Sequence, residues 1–114
     1  MKKLINTQDV KETMFREEKE LAKMFFDTKE YPIGFITGVQ DSMNIANTVY
    51  RSTPYLIVVI AELATRILDM DDSTIKCGYY FIMSYLHYMN DEKMLALIAS
   101  HCIKSCYKAV SDNG

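Results

Sequence analysis

The chain has 114 residues, a formal charge of -2 and a pI near 5.6, with 49% hydrophobic and 25% charged residues. This length suits one domain, 1–114, that buries roughly two-thirds of the surface its unfolded chain exposes, and the balance excludes disordered and fibrous classes. Without a cationic excess, nucleic acid and anionic membranes are disfavoured as partners.

The opening MKKLINTQDV has Lys2 and Lys3 but no apolar run behind them, so no secretory leader is expected. Val10, Met14, Leu21, Met24 and Phe25 then recur at helical spacing, with charged residues on the other faces. That pattern predicts an amphipathic helix over 7–27, capped by Asn6 or Thr7. In DTKEYPIGFITG, the residues Pro32, Gly34 and Gly38 predict a loop. This loop either presents Tyr31, Ile33 and Phe35 to a ligand or, the favoured reading, tucks Ile33 and Phe35 into the core.

A helix over 38–51 follows, capped by Thr37 or Asp41, with Val39, Met43, Ala46 and Tyr50 inward. Asp41, Asn44, Thr48 and Arg51 form one polar stripe on it, and Asn47 lies nearby. Amides and short hydroxyls suit a polar ligand or a partner's backbone better than an ordinary lysine-glutamate face does.

The run STPYLIVVIAELATRILDM resembles a membrane span until Glu62, Arg66 and Asp69 interrupt it. Thr53 before Pro54 marks a helix start, so 54–69 is predicted helical rather than a strand at 55–60. Its apolarity predicts a central helix, with Glu62 and Arg66 pairing across one turn as a buried seam. Helices over 73–89 and 91–110 follow, the first capped by Asp72 or Ser73 and the two joined near Asn90 and Asp91. The weak points are Gly78 and a strand alternative at 79–86. The expected architecture is thus all-α, a compact bundle of about five helices.

Cys77, His101, Cys102 and Cys106 reach one level if the last two helices form a hairpin, and are the only set able to ligate a metal. No CxxC or HExxH spacing supports that use, so ordinary core cysteines are expected, with no metal or cofactor. The 3 cysteines have no disulfide-framework spacing, which fits a reducing, cytoplasmic setting. No phosphate loop, nucleophile elbow or carboxylate pair poised for catalysis is present, so no enzymatic activity is expected.

Tyr79, Tyr80, Phe81, Tyr85 and Tyr88 point several ways around one helix, more aromatic surface than a small monomer buries easily. With 8 Met in the chain, this predicts protein contact, with Tyr80, Tyr85 and Tyr88 as anchors. The functional expectation is a protein-binding inhibitor or adaptor that acts by occlusion as a homo-oligomer. The alternative is a sensor of a small molecule or nucleotide, with a pocket between helices or subunits lined by Asn44, Asn47, Arg51 and tyrosines. In size and architecture the chain resembles, as a class, small accessory proteins of phages or mobile elements.

Overall fold

The computed structural model describes residues 33–113, with side chains through Ile103 and at Ser105. These residues form four α-helices and no strand: α1 (Ile33–Ser52), α2 (Leu56–Leu68), α3 (Ser73–Met89) and α4 (Lys93–Asn113). The all-α bundle expected from the sequence is present, with helix where strands at 55–60 and 79–86 were the alternative. The fifth expected helix, 7–27, lies outside the described residues. No described helix is long and apolar enough to cross a membrane.

The loop expected across Gly34 and Gly38 is helix instead, and α1 starts at Ile33 rather than near 38. A glycine inside a helix costs ~1 kcal/mol relative to alanine, so something must offset two of them. The offset is a close approach to α3. A Cβ on Gly38 would stand 3.1 Å from the Cα of Gly78, and one on Gly78 would stand 2.7 Å from the Cα of Gly38. A Cβ on Gly34 would meet the side chain of Thr74 rather than backbone. Gly34, Gly38, Ser42 and Ala46 are spaced four apart and form a row of small residues on the inner face of α1, and the last three are buried. Buried Ser42 donates to the carbonyl of Gly38 at 2.6 Å, so its hydroxyl costs little at the contact. Phe35 is core and meets Phe81 edge to face at 5.8 Å, while Ile33 is exposed.

Helix α2 starts two residues after Pro54. Tyr55 is its extended N-cap residue and makes no side-chain capping bond. The Thr53 hydroxyl accepts from the Tyr55 amide at 3.3 Å, so it shapes the turn rather than capping the helix. Val59, Ile60, Leu63 and Ile67 face inward, whereas Ile57, Val58, Ala61 and Leu68 lie exposed. The expectation that this apolar helix sits centrally is therefore corrected. It packs on α1 and α3 along a single side.

The central helix is α3, which packs against each of the other three. Asp72 caps it as expected, accepting from the amides of Thr74 (2.9 Å) and Ile75 (3.4 Å). These bonds, with the Thr74 hydroxyl first among them, hold the Asp72 carboxyl below its usual pKa range. Every residue from Cys77 to His87 except Tyr80 is buried. Phe81, Ile82 and Leu86 are fully enclosed, each contributing about 1.5–3 kcal/mol of apolar burial.

Helix α3 ends in a tight turn at Asn90 and Asp91. Asp91 takes the left-handed backbone (φ 59°), and the Glu92 amide returns to the carbonyl of His87 at 2.9 Å. Asn90 closes α3 rather than starting α4, and its side-chain amide donates to Glu92 Oε1 at 2.8 Å. Helix α4 then packs on α3 through its smallest residues. Ala96, Ala99, Ser100 and Ile103 are buried, and Ser84 donates to the carbonyl of Ala96 at 3.0 Å with its oxygen 2.9 Å from that of Ser100.

Candidate functional site

Two surfaces carry chemistry that the core does not use. The first lies between α1 and α2. Asn44 and Thr48 from the polar stripe of α1 face Glu62 and Arg66 of α2 across a shallow groove of about 220 Å³ floored by Ile45 and Val49. The Glu62–Arg66 pair forms as its spacing predicts, with Nε to Oε1 at 3.2 Å, but the two side chains are 43% and 51% exposed. It is a rim, not the buried seam expected from sequence. The reason is the peripheral position of α2, which leaves the face carrying these residues in solvent.

Both rim helices place polar groups where a ligand can reach them. The Thr48 hydroxyl donates to the carbonyl of Asn44 at 2.9 Å, leaving its oxygen able to accept. Asp41 is exposed on the same stripe, and its charge, with burial as the larger cause, raises the pKa of the buried Tyr79. Arg66 acts on Tyr79 in the opposite direction. Arg51 is exposed and Asn47 half-buried, and neither lines the groove.

The tyrosines do not join this site. Tyr85 is 5% exposed and part of the core, and Tyr80 and Tyr88 are half-buried. The exposed apolar side chains instead occur where the sequence reading placed no anchor. On α4, Met94, Leu95, Leu97 and Ile98 are all exposed, from 40% for Leu97 to 69% for Met94. At 100° per residue, Leu97, His101, Met94, Ile98 and Leu95 cover one continuous outer arc, while Ala96, Ala99, Ser100 and Ile103 occupy the inner one. Among the described residues, the helix therefore turns Ala96, Ala99, Ser100 and Ile103 inward and Met94, Leu95, Leu97 and Ile98 outward.

That inversion had a sequence signal in KMLALIASHCI, where Ala96, Ala99, Ser100 and Ile103 share a helical face. Reading the larger residues as the inner face conceals it. The physical cause is the close approach to α3 at Ser84, which leaves room only for alanine and serine opposite it.

The sulfur and imidazole groups do not assemble into a site among the described residues, where no three of His, Cys, Asp and Glu are placed to hold a metal. Cys77 is buried with its thiol 3.8 Å from the carbonyl of Ile103, and His101 faces outward on α4. The side chain of Cys106 lies outside the described residues. Buried His87 has its Nδ1 3.3 Å from Glu92 Oε1, and the bonds to Glu92 from Asn90 and then His87 lower the pKa of that carboxyl. This arrangement latches the α3–α4 turn. No family model, curated protein or solved structure matches the chain.

Proposed function

We propose that the protein is a non-enzymatic binding protein that acts by occlusion, and that it self-associates through the outer arc of α4. The observation that carries this reading is the outward row of Met94, Leu95, Leu97 and Ile98 on a helix that buries Ala96, Ala99, Ser100 and Ile103. Isolated exposed apolar residues are ordinary on protein surfaces, but a contiguous group on one helix face marks a contact surface. Leucine, isoleucine and methionine at these spacings are what one amphipathic helix offers another in a groove or a helix pair. Cysteines without disulfide spacing are consistent with action in a reducing, cytoplasmic setting.

A second copy is the simplest occupant because like faces are self-complementary about a twofold axis. An inhibitor or adaptor role follows if the same arc, or the smaller exposed group Ile57, Val58 and Leu68 on α2, covers a partner's surface. The test is native mass by light scattering across a concentration series, for the wild type and for Ile98→Glu and Leu97→Glu. The expected result is a wild-type oligomer that dissociates in both variants while their helical content is retained. A wild type that stays monomeric at every concentration, or an oligomer indifferent to both substitutions, overturns self-association through α4.

A further inference from the structure

The groove between α1 and α2 takes no part in the contact proposed for α4, and its chemistry is of a different kind. Its floor is aliphatic, from Ile45 and Val49, and its rim holds one acid and one base. Both charged side chains retain most of their bonding capacity. Arg66 uses only Nε of its five N–H donors, and Glu62 uses only Oε1. The side-chain amide of Asn44 has no partner among the described residues, and the Thr48 oxygen can still accept. An exposed ion pair one turn apart adds little to the stability of a helix, so the fold does not depend on this one.

We infer that this groove binds a small aliphatic zwitterion of the amino-acid type, with its ammonium at Glu62, its carboxylate at Arg66 and its hydrocarbon body on Ile45 and Val49. The argument is one of complementarity. Glu62 and Arg66 cancel in charge, so a purely anionic or purely cationic ligand gains from one and is opposed by the other. A zwitterion satisfies both at once and aligns against the existing pair, with the amide of Asn44 available to either end. Size points the same way. A shallow groove of about 220 Å³ offers a leucine-sized hydrocarbon body a surface to lie on. Because the rim is half in solvent, binding is weak and suits a ligand present at millimolar concentration.

The test is a titration of the isotopically labelled full chain with L-leucine, following amide shifts by NMR. Isoamylamine and 4-methylpentanoate, which carry the same hydrocarbon with only one of the two charges, serve as comparison ligands. Saturable shifts centred on 44–49 and 62–66 are expected with leucine. Binding should weaken at least about tenfold with either single-charge compound and in Glu62→Gln and Arg66→Gln. Both substituted side chains are largely exposed, so an unchanged melting temperature confirms that the variants remain folded. The inference fails if leucine gives no saturable shift, if the shifts centre elsewhere, if the amine or acid binds as well as leucine, or if the variants keep full affinity. None of these outcomes bears on the native mass, so the self-association through α4 stands or falls separately.

Discussion

Helix α2 is aliphatic at every position except Glu62, Thr65 and Arg66, yet it lies at the edge of the bundle with Ile57, Val58 and Leu68 exposed. Helix α3 carries serines, a glycine, a histidine and four tyrosines, yet every residue from Cys77 to Leu86 except Tyr80 is buried and the helix packs against the other three. The difference lies in how close a neighbouring backbone can come. Gly78 admits α1 at the Gly38 crossing, and Ser84 admits α4 at Ala96 and Ser100. Each close crossing brings many side chains into contact and satisfies its own polar atoms, so a mixed helix can occupy the centre. Helix α2 has no such notch on two sides. Its large aliphatics are buried along one face and left in water on the other.

The sharpest way to break this contrast is Gly78→Ala. In an unobstructed helix the change gains ~1 kcal/mol, but here the new methyl would collide with the backbone of α1 at Val39 and Gly38. The expected outcome is a net loss of about 2–3 kcal/mol, read as a fall in Tm of roughly 10 °C or more. An unchanged or raised Tm would show that the Gly38–Gly78 crossing is not what centres α3.

The two helices also differ at their starts, since α3 has an aspartate cap and α2 has no side-chain cap. Asp72→Ala should cost about 1 kcal/mol near neutral pH by urea denaturation. The carboxyl of Asp72 is held below its ordinary value of 3.8, so its stabilisation is present above that value and is lost as pH falls through the lowered pKa. The difference between wild type and variant should therefore shrink on acidification below about pH 4. Asp72→Asn should keep most of the cap while removing its titration.

The smallest expected effect sharpens the comparison from the other side. Ile57→Ser removes a large aliphatic from α2, but a side chain more than half exposed has little burial to lose. Its cost should stay within about 0.5 kcal/mol by the same denaturation assay. A loss several times larger would mean that the outer face of α2 is covered in solution.

Much of the fold was legible in particular residues. Asp72 before the run from Ser73 fixes a helix start through its side chain, and Asn90 with Asp91 marks a turn, because each signal is local and acts within a few residues. Glu62 and Arg66 pair for the same reason, since helical spacing alone puts them side by side. Gly34 and Gly38 were misleading because a glycine that breaks a helix and one that admits a neighbouring helix look identical until the neighbour is known. The signal that could have separated them is the spacing of four that continues through Ser42 and Ala46.

The candidate groove was half legible. Asn44 and Thr48 stand out as a polar stripe, but nothing local says that Glu62 and Arg66 face them, since that depends on how α2 lies on α1. Aromatic content is visible in composition, whereas the burial of Tyr85 in the core depends on how the helices pack.

By itself, then, the sequence determined that the described residues are helical, where α3 starts, where α3 and α4 join, and which charged side chains share a turn. These depend on propensity, capping and spacing over a few residues. Only the tertiary structure decided which helix is central, which face of α4 looks outward and which polar groups meet across a groove. Those outcomes follow from how close pairs of helices approach, and that distance is set jointly by small residues far apart in the chain.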